Sequence, residues 1–268
     1  MSIIGIDIGS STTKLIEYEN DKILNKKILR KVFEKEDLEN FIKNNEIAKV
    51  EKIVFTGIGA HKINQKDYDI QIEKVEEFKA IAKGGLYLAN KEEALVVSIG
   101  TGTALLEVRK DSVKHLGGTG VGAGTLYNLC DRLLNIKGFD KICEATEKGN
   151  VCKIDLRIGD VTDAEIETLP KNLTLANFGK FDKDTSSEDI VAGIVNMIFE
   201  VIGMMVAFYT INSDIKEAVL IGNITAIPGV KNILDKIENT HKVKFYIPEN
   251  AEFAVTLGAI KYIENDIK

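Results

Sequence analysis

The chain repeats itself, and that repeat limits the folds open to it more than any other feature. Ile4 to Asp21 (IGIDIGSSTTKLIEYEND) aligns with Leu95 to Ser112 (LVVSIGTGTALLEVRKDS) at a constant offset of 91 residues. In each copy a short apolar strand meets a small-residue turn and re-emerges as a second apolar strand. It then turns again, at Asn20-Asp21 or at Lys110-Asp111, and returns as a third. Helical spacing follows each meander, over Glu36 to Asn44 and over Gly124 to Leu134, where Leu126, Leu129, Leu133 and Leu134 make one apolar stripe. Strands at Lys52 to Thr56 and Ala218 to Ile221 extend the two sheets, and a further helix follows each. The pattern is βββαβα, written twice.

An α/β fold of two ribonuclease H-like lobes is expected, residues 1–90 and 91–268, with a nucleotide cleft between them. On this ground the chain resembles the actin-like ATPase and sugar-kinase superfamily. Residues 136–188 interrupt the second copy with a helix-like stretch, a short KIDLRIGDV strand and a loop around Pro170, and read as an insertion. Ile190 to Ile211 is apolar and long enough to cross a bilayer. Glu200 would then sit near the centre, at a cost of roughly 2.5–3.5 kcal/mol, with no basic flank beside the span. The reading is a buried helix, at 189–212, covered on its far side by a second subunit.

Composition removes other classes. A net charge of −6, with lysines interspersed among acids, leaves no basic excess for a nucleic-acid backbone. Cys130, Cys143 and Cys152 are odd in number and lack C-x-x-C spacing, so neither a disulfide framework nor a zinc site is indicated. Met1 leads into an apolar strand without a basic n-region, and a cytoplasmic location is expected.

Chemistry is expected at the turns. A tight turn without large side chains lets backbone N–H groups converge on an anion, and Gly9, Gly100 and Gly102 allow the dihedrals this needs. One such turn alone reads as a plain hairpin. Two equivalent turns at one cleft suit a triphosphate. Asp7 precedes the first turn where Ser98 stands in the second. A carboxylate beside a triphosphate can hold hydrated Mg²⁺, so Asp7 is the metal candidate, a turn-capping aspartate being the alternative. Lys14 either reaches a phosphate or is a solvated lysine. No P-loop or Rossmann glycine pattern occurs. Gly117 to Gly124 holds five glycines in eight residues and opens onto a helix whose N-terminus favours an anion. Transfer to a hydroxyl needs a carboxylate base, and Glu73, Glu76 and Glu77 are all available; spacing does not choose among them.

The motifs GIDIGSSTTK, VEEFKAIAKGG, SIGTGTALLEV, GGTGVGAG, LTLANFGKF, VLIGN and ENAEFAVTLGAI occur in that order. Over nearly its whole length the chain resembles a type II pantothenate kinase. The resemblance implies transfer of the ATP γ-phosphate to pantothenate, the committed step toward coenzyme A, by a homodimer that requires Mg²⁺ and pairs through the long helix. It implies Glu77 as the catalytic glutamate of an E-F-x-A motif. It implies ATP contacts at Asp7, Ile8, Gly9, Ser10, Ser11, Thr12, Thr13 and Lys14, at Thr101, at Ala123, Gly124, Thr125, Leu126 and Tyr127, at Phe139 and at Asn223. Phe139 would stack on adenine unless it is a core residue.

Two positions depart from the family. His115 stands where an arginine two residues before Gly117-Gly118 helps to hold pantothenate, and a neutral imidazole is no substitute for a bidentate guanidinium. That keeps open a kinase for another small hydroxylated metabolite, such as an amino sugar. Asn223 stands where serine is common, and both can donate and accept. GIDIGSSTTK also resembles the ATP-driven activators of radical dehydratases, which bridge an iron–sulfur cluster with cysteines; the three cysteines here show no such ligand motif.

Overall fold

The structure, a computed structural model, describes residues 1–110, 112–166 and 170–266. Strands β1 (Ser2–Ile8), β2 (Thr13–Glu19) and β3 (Lys22–Leu29) form the first meander, followed by α1 (Lys35–Asn44), β4 (Val50–Thr56), β5 (Ile72–Lys74) and α2 (Glu77–Ala89). The second copy runs β6 (Ala94–Ile99), β7 (Thr103–Arg109), β8 (Ser112–Thr119) and α3 (Ala123–Leu134). After it come α4 (Phe139–Lys148), β9 (Leu156–Arg157), α5 (Ile158–Val161), β10 (Thr174–Ala176) and the long α6 (Ser187–Ile211). The chain closes with β11 (Glu217–Ile221), α7 (Val230–Thr240), β12 (Lys244–Tyr246) and α8 (Ala254–Asp266).

The two five-stranded sheets have one topology. The first is ordered β3-β2-β1-β4-β5 and the second, from its opposite edge, β8-β7-β6-β11-β12. The offset between the copies is not constant, however. Ile8 pairs with Thr13 across a four-residue turn, while Ile99 pairs with Thr103 across a three-residue one. Beyond the turns the equivalence therefore shifts to 90 residues, and Ala104, facing Ser98, takes the place of Lys14, facing Asp7. Asn20 and Asp21, at φ 51° and 59°, make the left-handed pair that a two-residue hairpin needs. Its counterpart at Lys110-Asp111 includes Asp111, which lies outside the described residues.

Other expectations change in detail. Gly9, Gly100 and Gly102 do not lie in the left-handed region, so these turns do not use glycine for its dihedrals; at Gly9 a Cβ would lie 3.0 Å from the Thr12 carbonyl oxygen. In α3 the buried residues are Leu126 and Cys130, one turn apart, whereas Leu133 is 68% exposed. Within KIDLRIGDV only Leu156 and Arg157 are strand, paired with β10, because Ile158 to Val161 coils into a helical turn. The loop before Pro170 falls partly outside the described residues.

The chain packs as two compact units. One comprises Met1–Gly118, Val219–Asn223 and the segment from Tyr246; the other comprises Thr119–Ala218 and Ile224–Phe245. This division keeps β6, β7 and α8 of the second repeat in the first unit and puts α3, α6 and α7 in the other, whereas the repeat itself suggested lobes at 1–90 and 91–268. In the second unit α6 is the central helix, burying Val195, Ile198, Phe199 and Ile202. Its Gly203 lets Ile237 of α7 come so close that a Cβ would lie 2.3 Å from the Ile237 Cδ1.

In the first unit period-two alternation gives each strand of the first sheet two apolar faces. Ile4, Ile6, Ile8, Leu15, Ile53 and Phe55 pack under Leu38 and Phe41 of α1. On the other face Ile16, Tyr18 and Val54 share one core with α2, α8 and residues Val96, Leu106, Val219 and Ile221 of the second sheet. Helices α2 and α8 are thus common to both sheets. They meet backbone to backbone: a Cβ on Gly84 would lie 1.8 Å from the Ala254 carbonyl oxygen, and one on Gly258 2.0 Å from that of Ala80. Neither contact can be relieved by a side-chain rotation. Gly84→Ala and Gly258→Ala should each lower stability by about 1–3 kcal/mol or more in urea titrations. Gly120→Ala, at a position with open space, should stay within about 0.5 kcal/mol.

Candidate active site

Strand alternation places Asp7, Lys14 and Thr56 on the face of the first sheet that meets α2. Asp7 is directly opposite Lys14 on β2 and opposite Thr56 on β4. Asp7 is buried, and its Oδ2 lies 3.8 Å from the Lys14 Nζ. The lysine side chain is only 12% exposed, so it is an inward group and not a solvated one. Among the described residues Asp7 caps no turn N–H. The Thr56 hydroxyl is fully buried without a hydrogen-bond partner.

Glu77 is the first residue of α2 and points its charge toward the same place. Burial raises its carboxyl above the ordinary range, the negative charge of Asp7 raises it further, and Lys14 draws it down. Burial likewise raises Asp7, opposed by Lys14. The structure separates the three glutamates left open by spacing. Glu73 is held by Lys52 at 3.0 Å, Glu76 is the exposed residue preceding the helix, and Glu77 feels the charge of Asp7.

The tips of the two turns meet. Thr101 Oγ1 lies 2.8 Å from Ser10 Oγ and 2.9 Å from Ser11 Oγ, so residues equated by the 91-residue offset touch. Gly9 donates its N–H to the Thr12 carbonyl and closes its own loop. Ser10 and Ser11 are exposed, whereas Ile8 is a core residue and the Thr13 hydroxyl is turned to the Lys31 carbonyl. The acceptor-side candidate His115 stacks on Phe78, the neighbour of Glu77, at 4.5 Å and 21°. Gly118 is needed there because a Cβ would lie 2.1 Å from the Thr103 carbonyl oxygen, while Gly117 faces open space. Asn223 is half-buried and follows β11 after Gly222.

The remaining candidates belong to the second unit. Ala123, Gly124, Thr125, Leu126 and Tyr127 are the first turn of α3. Thr125 uses its hydroxyl within the chain, accepting from the Gly122 N–H at 3.3 Å and donating to the Gly120 carbonyl at 3.1 Å. Leu126 is core. Phe139, first in α4, is half-buried, neither a core residue nor a fully exposed one.

Sequence reasoning missed Thr56 and Gly57. Gly57 has φ 86°, and a Cβ there would lie 2.5 Å from Asp7 Oδ1, so the β4 turn is moulded onto the carboxylate. The glycine pair Gly57 and Gly59 after a strand was the available signal. As for the cysteines, Cys130 is buried with its thiol pushed up to about 11, Cys143 is half-buried and Cys152 exposed. Among the described residues no three His, Cys, Asp or Glu side chains gather as a metal cluster.

Comparison with known proteins adds three findings. The Fumble family model matches residues 94–246. A type II pantothenate kinase of Bacillus anthracis is 30% identical over 233 residues, 83% of this chain and 83% of its own. Another from Bacillus cereus ATCC 10987 is 27% identical over 98% of each chain. Among solved structures, component A of the Acidaminococcus fermentans (R)-2-hydroxyglutaryl-CoA dehydratase superposes with a TM-score of 0.69 at 17% identity, covering all of both chains. A ROK family glucokinase from Streptomyces griseus, in complex with glucose and AMPPNP, gives 0.65 at 13% identity, covering 98% of this chain and 99% of its own. At such identities the structures speak for the fold alone, the duplicated ribonuclease H-like lobes of actin-like ATPases.

The coupling of the three charged groups has a measurable sign. In a carboxyl-carbon NMR titration, Lys14→Met should raise the midpoint of Glu77, since a stabilising cation is lost, and Asp7→Asn should lower it. A Glu77 midpoint unmoved by either change would mean that the groups do not face one another.

Proposed function

The chain belongs to the Fumble family, and from that membership we propose that it is a type II pantothenate kinase, transferring the γ-phosphoryl group of ATP to the hydroxyl of pantothenate. The observation that carries the reading is Glu77, a half-buried carboxylate at a helix start beside the Asp7 and Lys14 pair. Its raised proton affinity suits a base that takes the acceptor proton as the new O–P bond forms and ADP departs. Lys14 offsets negative charge on the transferring group. The two turns, with Thr101, grip the phosphates through small side chains and backbone.

Asp7 would hold hydrated Mg²⁺, whose contribution is to neutralise phosphate charge. The fit rests on a buried carboxylate whose lysine partner stands at 3.8 Å and on the unpartnered Thr56 hydroxyl on the same sheet face. The nucleotide contacts are assigned to Asp7 through Lys14, Thr101, the first turn of α3, Phe139 and Asn223. For Thr13, Thr125 and Ile8, whose side chains are already engaged or buried, only the backbone is available. His115, Gly117 and Gly118 are assigned to the acceptor.

The enzyme is read as a cytoplasmic homodimer paired through α6. Support comes from the helix itself: 67% of its most apolar 18-residue stretch is buried within the protein, which fits a core helix. Yet Val201, Phe208 and Ile211 leave an exposed apolar stripe at helical spacing. The dehydratase-activator alternative is not favoured, since the curated relatives are kinases and the cysteines carry no ligand motif.

ADP release with ATP and Mg²⁺ should be stimulated by pantothenate well above a no-acceptor blank and above N-acetylglucosamine; stimulation by the sugar alone would reassign the acceptor. Glu77→Gln should keep ATP affinity and lower kcat by about 10²–10⁴-fold. Phe208→Glu should convert the dimer to monomer in sedimentation-velocity runs, and an unchanged sedimentation coefficient would remove α6 as the interface.

A further inference from the structure

A second concave site lies in the first unit, apart from the phosphate turns. Lys79, Lys83 and Leu86 line it at helical spacing along α2, and the β7 to β8 end brings Arg109, Lys110 and Val113. Tyr87 and Tyr262 supply aromatic surface, and the cavity measures about 810 Å³, within the range usual for small-molecule sites.

Its charge is unlike that of the rest of the molecule. In a chain of net charge −6, the described residues of the lining include Lys79, Lys83, Lys91, Arg109 and Lys110 beside the carboxylate of Glu92. Arg109 is tied to Glu107 at 2.8 Å and Glu93 at 3.3 Å. Lys91 lies over the Tyr246 ring at 3.9 Å and Lys79 over Tyr262 at 5.3 Å. Lys83 and Lys110 form no ion pair among the described residues. Beside them Tyr87 is 42% and Val113 44% exposed, so large apolar surface is left facing the groove next to concentrated positive charge.

We propose that this groove binds a small phosphorylated ligand with an aromatic or apolar body. Lys83 of α2 and Lys110 of the β7 to β8 end line the groove from two elements, and two lysines favour a doubly charged phosphate over a single carboxylate. The tyrosines and Val113 give the body of such a ligand a surface to stack on. The proposal does not depend on the kinase reading, because none of its residues belongs to the Asp7, Lys14 and Glu77 site.

Pyridoxal 5′-phosphate is a suitable probe, used on the full chain with Mg²⁺ and saturating non-hydrolysable ATP analogue present. Its aldehyde condenses with a lysine amine, losing water, and borohydride fixes the imine for peptide mapping. Lys83 should be labelled about tenfold or more faster than the exposed Lys43 and Lys66, equivalent to about 1.4 kcal/mol. Lys110→Glu should slow Lys83 labelling by a similar factor while basal turnover is unchanged. Pyridoxine 5′-phosphate should protect at a concentration at least about tenfold below inorganic phosphate. Labelling of Lys83 no faster than Lys43, or indifferent to Lys110→Glu, overturns the site; equal protection by inorganic phosphate overturns the aromatic part of its chemistry.

Discussion

The close crossing of α2 and α8 is the contact from which the first unit is built. With Gly84 against the Ala254 carbonyl and Gly258 against that of Ala80, the two backbones approach nearer than any side chain would allow. Their outer faces then reach both sheets at once, which is why one core holds Val54 of the first sheet and Val96 and Val219 of the second. A further glycine, Gly5, admits Ile260 and Thr256 of α8 to the surface of β1, where a Cβ would come within 2.9 Å of each. Small residues here set the spacing, and buried aliphatic side chains supply the energy.

That crossing also sets the chemistry. By fixing α2 it brings the helix start, and with it Glu77, to the end of β1 where Asp7 faces Lys14. Three charged groups taken partly out of water must share one cation between two carboxylates. Burial, reinforced at Glu77 by the charge of Asp7 and opposed at both by Lys14, makes each carboxylate bind protons more readily than it would in water, a property that suits a base and costs stability at neutral pH. The same helix carries Lys79 and Lys83 into the basic groove, so one element presents the candidate base at its start and a separate cationic surface farther along.

Much of the fold was legible because β periodicity and turn chemistry are local. Alternation in IGIDIG and LIEY marks strands whose two faces are both buried, and Asn20-Asp21 marks a hairpin. The repeat predicted two sheets of like order. It could not show that one turn is a residue shorter, since a single offset fits both sides of a turn until strand pairing is seen. Leu133 fitted the apolar stripe of α3 by spacing yet is exposed, because burial depends on what packs there and not on the helix alone. KIDLRIGDV looked like one strand for a related reason: a short apolar run is compatible with strand or helical turn until a partner is present.

Alone, the sequence determined the repeat, the strand and helix types, the two small-residue turns and a shortlist of three glutamates, all properties carried by neighbours along the chain. Tertiary structure decided which glutamate faces Asp7, that Lys14 is turned inward, that Gly57 and the Thr56 hydroxyl adjoin the carboxylate, and that lysines from α2 and the β7 to β8 end gather in one groove. Those facts join residues up to about seventy positions apart in sequence. Their proximity follows from sheet register and from the glycine crossing of two helices, and no local pattern encodes it.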